Sequence, residues 1–296
     1  MSRKMKLALG SLVLGGIVLA LKTLAWWLTG SVALLSDALE STVNLATAFA
    51  ALVAVQVAAR PADSQHPWGH HKAEYFSAVL EGVMICVAAL FILHQAWEGF
   101  QSPRVIDAPL TGLVINAVAT ALNGAWALVL IRRGRSLRSP ALVADGKHLW
   151  TDVMTSVGVA AGVLLALLTG WWLLDPLMAV LVAVNILWSG WRVMSSSLSG
   201  LLDESVPDDE LARIRDVIAE NADGAVEAHD LRTRHAGAAT FVEFHLVVPG
   251  ETTVFDAHEI CDRIEHAMHD AVPQSRVTIH VEPEHKSKHQ GIVVLD

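Results

Sequence analysis

The sequence predicts a two-domain membrane protein, with an all-α domain of six transmembrane helices over residues 1–202 and a small α+β domain over residues 203–296. Of the 296 residues, 53% are hydrophobic. The mean hydropathy is +0.45, which is too apolar for an ordinary soluble protein. The long apolar runs end near residue 195. The charges divide at the same place, because residues 203–296 hold 20 of the 30 acidic and 8 of the 21 basic residues, a net charge of −12.

Six apolar segments are long enough to cross the hydrocarbon core of a bilayer, which takes about 20 helical residues. Only helices satisfy every backbone polar group there without water, so each segment is predicted to be a helix. The sixth carries Asp175-Pro176, an acceptor side chain followed by a proline suited to a first helical turn. The predicted spans are residues 6–28, 32–58, 76–100, 109–132, 140–169 and 172–194.

Basic residues in the loops predict the orientation of these spans. Arg104 is the basic residue of the loops on one side, whereas the other side has many. Basic loops stay on the cytoplasmic side, so both termini are expected in the cytoplasm, and an even number of spans agrees. The residues on the basic side are Arg3, Lys4, Lys6, Arg60, Lys72, Arg132, Arg133, Arg135, Arg138 and Arg192.

Two spans carry regularly spaced sets of polar residues; ionised groups are costly in lipid, so these residues are expected to face the bundle interior. Each set follows the spacing i, i+3, i+7, which places its members on one helical face. If the two faces meet, Glu40, Asn44, His148 and Asp152 offer four ligands, a suitable tetrahedral shell for a first-row divalent ion. The alternative is that these groups only form interhelical hydrogen bonds. The two sets are Asp37, Glu40 and Asn44, then Asp145, His148 and Asp152.

Three other ionisable residues in the spans leave alternatives open. Lys147 either points away along its helix or forms an ion pair with Asp145. Glu81 and His94 of the third span either line a pore or are satisfied within the bundle.

The loop after the second span is rich in histidine. Asp63, His66 and His70 follow i, i+3, i+7 around a turn, which suits a small cytoplasmic metal site. A solvated loop without a metal is the alternative.

The C-terminal residues predict an αββαβ order. An amphipathic helix opens at Asp208-Asp209, and Gly237 lies in the turn between two strands. The predicted elements are helix 208–221, strands 226–234 and 239–248, helix 254–271 and strand 276–282.

Histidines on these elements indicate a second metal site. Glu282 follows His280 by two residues, so both lie on one face of a strand. Several histidines beside a carboxylate favour a metal. The candidate ligands are His229, His245, His258, His280 and Glu282. The histidines expected to be solvated are His235, His266, His269, His285 and His289. Cys86 and Cys261 form no CxxC pair and are expected to be packing residues.

Together these residues resemble the cation diffusion facilitator family over nearly the whole chain, in particular its bacterial dimeric zinc, cadmium and iron exporters. The resemblance implies transport ligands at Glu40/Asn44 and His148/Asp152, and a ferredoxin-like, metallochaperone-like tail. It also implies a loop site, a binuclear tail site at a dimer interface and a lysine–aspartate pair at the membrane surface. The residues implied are Asp63, His66 and His70 for the loop, His229, His245, His258, His280 and Glu282 for the tail, and Lys72 and Asp203 for the pair.

The second span departs from the family pattern. Zinc exporters of this kind usually present Asp or His followed by Asp, whereas this chain has Glu40 and Asn44. Three oxygens and one nitrogen make a harder shell, which slightly favours Mn²⁺ or Fe²⁺ over Zn²⁺. A zinc, cadmium or cobalt exporter is the alternative.

The implied activity is metal efflux in exchange for protons with alternating access. Ligands must be deprotonated to bind metal, and an imidazole such as His148 titrates near physiological pH. A passive channel and a non-transporting metal-sensing partner are the competing functions. The sequence has no GxxxxGK[ST], HExxH or nucleophile-elbow motif, so an enzyme is not expected. The expected setting is a homodimer in the bacterial inner membrane, with a lipid bilayer and protons as partners and no nucleic acid or organic cofactor.

Overall fold

A computed structural model describes residues 2–29, 32–101, 110–171, 173–288 and 292–293. The chain divides into two compact units, Met1–Leu198 and Ser199–Asp296. Each unit has its own packing.

Long helices build the first unit, and the described residues contain six of them. Each corresponds to one of the predicted spans. Several extend further than the apolar pattern does, since a helix continues through polar residues such as Arg133 and Arg135 as long as its backbone hydrogen bonds are made. The helices are α1 (Arg3–Thr29), α2 (Val32–Ala58), α3 (Ala73–Gln101), α4 (Leu110–Ser136), α5 (Pro140–Thr169) and α6 (Leu174–Leu201).

Among the described residues, three stretches are long and apolar enough on their own to cross a membrane: Arg3–Leu24, Ala73–Gln101 and Pro176–Leu201. The apolar part of α2 that meets the same standard of composition is shorter, Asn44–Ala58. The six-span count and its boundaries stay a prediction.

The first unit exposes large apolar side chains and buries ionisable ones among its apolar core, unlike a water-soluble bundle. Its surface carries large exposed side chains, among them Phe49, Val87, Phe91, Trp97, Leu181 and Trp188. Its interior holds Ser41, Asn44, Glu81, Asp145, His148 and Asp152. Lipid solvates the outer side chains, and the polar groups avoid it by facing one another.

Small residues let two of these helices approach closely. A Cβ on Gly82 of α3 would lie 2.8 Å from the backbone nitrogen of Met194 on α6, and a Cβ on Gly190 of α6 would lie 2.8 Å from Sγ of Cys86. Close packing of small residues is the main source of helix association where apolar burial gives no advantage. Elsewhere α2 packs against α1, α3 and α5, which brings the polar faces of α2 and α5 together.

A buried carboxylate ties three helices together at one end of the unit. Glu74, at the start of α3, is 2% exposed. It lies 2.6 Å from Nζ of Lys4 on α1 and accepts a hydrogen bond from the hydroxyl of Ser139, which precedes α5. A buried charge persists only with such partners.

The second unit has the αββαβ order that the sequence predicts, and it continues into a further short strand. The bounds agree with the prediction to within two residues. The elements are α7 (Asp208–Asn221), β1 (Glu227–Ala236), β2 (Ala239–Val248), α8 (Val254–Ala271), β3 (Ser275–Pro283), a 3-10 turn (Glu284–Lys286) and β4 (Ile292–Val293).

The sheet has the strand order β3-β2-β1-β4. β2 pairs antiparallel with β1 and parallel with β3. Because side chains alternate along a strand, β2 turns Val242, Phe244 and Leu246 into the apolar core, where they pack with residues of α7 and α8. His245 and its neighbours on β1 and β3 are thereby assigned to the other face. The predicted fold class, six helices followed by a small α+β unit, is confirmed.

Candidate metal sites

Asn44 joins two residues of α5 inside the first unit. Its amide oxygen lies 2.9 Å from Nε2 of His148, and its amide nitrogen donates a hydrogen bond to Oδ2 of Asp152. The three residues are buried, with exposures of 6%, 4% and 8%. The structure therefore brings together three of the four groups that the sequence singled out for transport.

The remaining residues of this polar set differ in what the structure describes. Glu40 lies one turn before Asn44 on α2 and Asp37 a further turn back, but their side chains lie outside the described residues. Asp145, 1% exposed, accepts a hydrogen bond from the hydroxyl of Ser11 on α1. Among the described residues, Ser11 is therefore the hydrogen-bond partner of Asp145. Lys147, on the same helix, is half-buried.

A cavity opens beside Asn44, between four helices. Four of its eight lining residues are polar, and the others are apolar or glycine. It is lined by Ser11, Gly15, Val18, Ser41, Asn44, Ala48, Asn123 and Leu149. Hydroxyl and amide groups of this kind can replace part of the hydration shell of an ion that approaches Asn44.

The two ionisable residues of the third span have different surroundings. Glu81 is fully buried, and one of its oxygens lies 3.4 Å from the hydroxyl of Ser77. His94 is 66% exposed at the outer surface of α3, where Nε2 lies 3.6 Å from Oε1 of Glu98. The expectation that His94 is satisfied inside the bundle is therefore wrong, because its side chain is exposed, and the alternative that it lines a pore stays a prediction.

The loop after α2 brings its three predicted ligands together. Nδ1 of His66 lies 3.3 Å from Oδ1 of Asp63, and Nε2 of His70 lies 3.4 Å from Oδ2. One ligand atom from each of the three residues lies within 4.8 Å of the other two. The backbone N–H of His66 donates to Oδ1 of Asp63 at 2.7 Å and, as the largest cause, holds the pKa of this carboxyl below its usual value.

Three histidines lie side by side on the open face of the sheet. Register pairs His229 of β1 with His245 of β2, and His245 with His280 of β3. The ring centroids are 5.3 Å apart in the first pair and 4.9 Å in the second. A β-bulge follows His229, where Asp230 has φ +53°. Bulges of this kind re-aim a side chain locally.

Glu282 lies among these rings. Its Oε2 is 3.4 Å from Nε2 of His229, and its Oε1 is 3.3 Å from Nδ1 of His245 and 3.7 Å from Nε2 of His280. One ligand atom each from His229, Asp230 and His245 also lies within 4.8 Å of the others. Four of the five predicted tail ligands thus share one place.

His258, the fifth predicted tail ligand, lies on a different element. It is on α8, its side chain is 74% exposed, and its Nε2 is 3.7 Å from Oδ1 of Asp262. Asp203, predicted to pair with Lys72, is 3.1 Å from the guanidinium of Arg234 within its own unit. Lys72 is half-buried in the other unit. That pairing stays a prediction.

Two residues of the second unit were misjudged or missed from the sequence. His235 was expected to be solvated, but it is half-buried and its Nε2 lies 3.3 Å from Oε2 of Glu210. Glu227 was not singled out, although it is 3% exposed and its Oε1 lies 3.5 Å from Nδ1 of His229. The signal for it was present, since residues i and i+2 of a strand share a face.

A helical bundle that exposes large apolar side chains and buries ionisable ones, followed by a histidine-lined α+β unit, defines an integral membrane protein. Two family models match the chain: the cation efflux transmembrane domain over residues 8–202 and the cytoplasmic domain of cation efflux proteins over residues 206–284. The chain belongs to the cation efflux, or cation diffusion facilitator, family and is a cation efflux transporter.

Similar proteins cover most of the chain. An uncharacterized transporter of Synechocystis sp. is 49% identical over 265 residues, which is 90% of this chain and 86% of the relative. The cation-efflux pump FieF of Yersinia pestis is 34% identical over 281 residues, 93% of this chain and 91% of the relative.

Solved structures match the second unit. One of CzrB in its Zn form is 50% identical, covers 29% of this chain and 98% of its own, and has a TM-score of 0.28. The metal-bound C-terminal domain of the CzcD transporter from Thermotoga maritima is 32% identical, covers 26% of this chain and 94% of its own, and has a TM-score of 0.24.

Proposed function

We propose that this transporter exports a divalent metal ion in exchange for protons, and that Glu40, Asn44, His148 and Asp152 carry the ion. The observation that supports this most is the contact of Asn44 with both His148 and Asp152. Three polar groups from two helices meet there in the interior of a membrane protein, where such groups usually serve a task.

The geometry indicates how an ion enters. Two ligand atoms bound to one tetrahedral ion at about 2.05 Å lie about 3.3 Å apart. The Asn44 oxygen and Nε2 of His148 are 2.9 Å apart, so they separate by a few tenths of an ångström to admit the ion. Asn44 also gives up its hydrogen bond to Asp152. The hydrogen-bonded arrangement is thus the form of the site that competes with metal.

Exchange with protons follows from the chemistry of these ligands. Metal binds the neutral imidazole and the ionised carboxylate, so loading releases protons and protonation releases the ion. In the inward-facing state the site loads from the cytoplasm, where both termini of the chain lie. In the outward-facing state, protonation of His148, together with a carboxylate, expels the ion. The small cavity beside Asn44, to which Ser11, Ser41 and Asn123 contribute polar groups, supports an access path.

The donor set supports Mn²⁺ or Fe²⁺ slightly ahead of Zn²⁺. Glu40, Asn44 and Asp152 offer oxygen, and His148 offers the single nitrogen. Oxygen ligands suit the harder ions relatively better, although affinity alone still rises from manganese to copper. The alternative substrate set is zinc, cadmium and cobalt.

We infer that the tail site binds metal at the interface of a homodimer. The separations of 3.4 Å and 3.3 Å that join the two oxygens of Glu282 to His229 and His245 are those of ligand pairs around a tetrahedral ion. Because each oxygen faces a different imidazole, Glu282 can bridge two ions. The exposed His258 is then a ligand offered to a second copy of the chain. The cytoplasmic-domain match supports this arrangement.

One experiment tests the transport proposal directly. Purified protein in vesicles is loaded with Mn²⁺, Fe²⁺, Co²⁺, Zn²⁺ or Cd²⁺ in turn, and efflux is followed with and without a proton gradient. Antiport predicts that a gradient of the right sign accelerates efflux and that metal movement drives counter-movement of protons. Flux of equal rate with and without the gradient indicates a passive channel. A folded protein that moves none of the five ions indicates a non-transporting sensor.

A further inference from the structure

A buried carboxylate of β1 connects the tail site to the C-terminal segment, that is, to Ser287, Lys288 and Ile292–Val293. The Oε1 of Glu227 lies 3.5 Å from Nδ1 of His229. Its Oε2 accepts hydrogen bonds from the hydroxyl of Ser287 and, at 3.1 Å, from the backbone N–H of Lys288. Glu227 therefore faces a candidate ligand with one oxygen and the end of the chain with the other.

The two nitrogens of His229 face different carboxylates. Nε2 points to Glu282, at 3.4 Å, and Nδ1 points to Glu227. The imidazole is 1% exposed, and neither nitrogen makes a hydrogen bond within the part of the chain that the structure describes. In this arrangement Nε2 is available to a metal, and Nδ1, on the other side of the ring, can donate a hydrogen bond to Glu227.

The segment that holds Glu227 is attached at further points. Nζ of Lys288 lies 2.6 Å from Oδ2 of Asp230, the residue after His229. Farther along, Ile292–Val293 pairs antiparallel with Ala228 and Glu227 of β1. These contacts lie beyond residue 284, where the cytoplasmic-domain match ends.

We propose that Glu227 is a positioning residue that orients His229 for metal, and that Ser287 and Lys288 dock the C-terminal segment onto it. This rests on the proposed tail metal site. A ligating histidine usually donates its second ring N–H to a carboxylate, which fixes the tautomer and raises the basicity of the ligand nitrogen. Metal at Nε2 places the proton on Nδ1, facing Glu227. Metal binding and docking of the segment are then coupled, and the coupling is reciprocal.

The chemistry requires a carboxylate at this position. Both carboxylate oxygens of Glu227 act as acceptors. One accepts from His229 when metal is bound, and the other accepts from both Ser287 and Lys288. A glutamine has one acceptor end and one donor end, so it satisfies either the imidazole or the segment. Glu227→Gln is therefore a nearly isosteric change that breaks the connection.

The test uses zinc and hydrogen–deuterium exchange of the full chain in nanodiscs, read peptide by peptide. In the wild type, we expect zinc to slow exchange in β2 and β3 and to protect the peptides that cover Ser287 and Lys288 at the same zinc concentration. In Glu227→Gln, we expect half-protection of β2 and β3 to need about tenfold more zinc or above, with no response of the peptides that cover Ser287 and Lys288. Ser287→Ala, which leaves Glu227 in place, shifts the zinc midpoint by about threefold, as loss of one hydrogen bond of about 0.7 kcal/mol does.

Glu251→Gln is the matched control, since Glu251 is an exposed carboxylate of the same unit, and it titrates as the wild type does. Exchange in α8 without zinc reports folding. If Glu227→Gln loosens α8, Ser287→Ala decides the matter. The inference is overturned if the wild type is protected by zinc while Glu227→Gln, or Ser287→Ala in its place, keeps the wild-type midpoint and segment response. If zinc protects nothing in the wild-type tail, the tail metal site itself fails, and this inference with it.

Discussion

The side chain of Asn44 bridges His148 and Asp152. Its amide oxygen lies 2.9 Å from Nε2 of His148, and its amide nitrogen donates a hydrogen bond to the carboxylate of Asp152. Two residues one turn apart on α5 are thereby linked through α2. An amide can do this because it carries an acceptor and a donor without a charge. These contacts hold the two helices together, and in the proposed function the same three groups become ligands when an ion arrives.

Replacing Asn44 separates these two roles. Asn44→Ala removes interhelical hydrogen bonds, which inside a membrane contribute about 0.6 kcal/mol each, so we expect a small drop in thermal stability. Transport should fall far more, by at least about tenfold, because a ligand is lost. Melting followed by tryptophan fluorescence and efflux from vesicles measure the two effects. An equally mild effect on transport would show that Asn44 only connects helices.

Asn44→Asp makes the opposite change. It replaces the amide donor with a second carboxylate facing Asp152, so the two acids repel without an ion and bind it more strongly together. We expect transport to persist with a KM for metal lowered by about tenfold, equal to about 1.4 kcal/mol. The rate should also become more steeply dependent on pH, since one more proton competes with the ion. Efflux measured across a range of pH values checks both effects, and unchanged affinity would exclude Asn44 from the shell.

Asp152→Ala removes the carboxylate that Asn44 contacts. Metal-dependent proton flux in proteoliposomes should disappear, because the ion loses a charged ligand and the protein loses a group that exchanges protons. Thr155→Ala is the control on the same helix, where the Thr155 hydroxyl donates only to the backbone oxygen of Thr151. Flux at the wild-type level in the Asp152 variant would remove this site from the account.

Periodicity was sufficient for the elements and for much of each site. The strands and helices of the second unit agree with prediction because alternation in β2 and the 3.6-residue pattern of α7 and α8 are strong. The same patterns placed Asn44 opposite His148 and Glu282 on one face with His280, whereas the position of His245 between His229 and His280 follows from the strand order. Spacing along one element fixes which side chains share a face, and matched faces then meet.

What the sequence missed depends on contacts between distant segments. β4 is two residues long, Ile292–Val293, too short to carry a periodic signal. Glu74 and Glu227 owe their burial to partners 65 and 60 residues away. The exposed position of His94 follows from how α3 is rotated in the bundle, which the i, i+4 relation to Glu98 alone does not fix.

Cys261 should be an inert packing residue rather than a zinc ligand. It is 7% exposed in the core between α8 and the sheet, and burial, then the charges of Glu265 and Asp262, raise the pKa of its thiol. The thiolate is the reactive form, so alkylation should be slow at pH 7–8 and should accelerate only as the pH rises above the usual thiol range. Mass spectrometry of iodoacetamide-treated protein measures this, with urea-unfolded protein as the control. Fast labelling of the folded chain at neutral pH contradicts the prediction.

Zinc binding to the loop should depend on pH, because zinc binds only the deprotonated forms of its ligands. The pKa of Asp63 is held below its usual value, chiefly by the His66 backbone N–H, so this carboxylate stays ionised, and able to bind zinc, until the pH falls below the usual aspartate range. We expect zinc binding to weaken as the pH falls. Calorimetry in a background lacking the other sites, Asp152→Ala with His245→Ala and His280→Ala, measures it.

Asp63→Asn should weaken this binding at every pH at which Asp63 is ionised, because the site loses a charged ligand. His71→Ala is the control, as a neighbouring histidine outside the cluster. Wild-type zinc affinity in Asp63→Asn would exclude this carboxylate from the loop site.

Joint replacement of His245 and His280 should abolish regulation by metal while leaving the transport site intact. Both rings face Glu282, at 3.3 Å and 3.7 Å, so their loss leaves one imidazole for the proposed ions. We propose that in the wild type metal neutralises acidic surfaces of two copies and draws them together, which biases the transport unit. We expect the double variant to transport at high metal with no activation step, and to lose metal-induced shortening of the distance between spin labels on the two tails. His266→Ala, an exposed histidine on α8, should behave as the wild type does, and wild-type activation in the double variant would show the tail site to be idle.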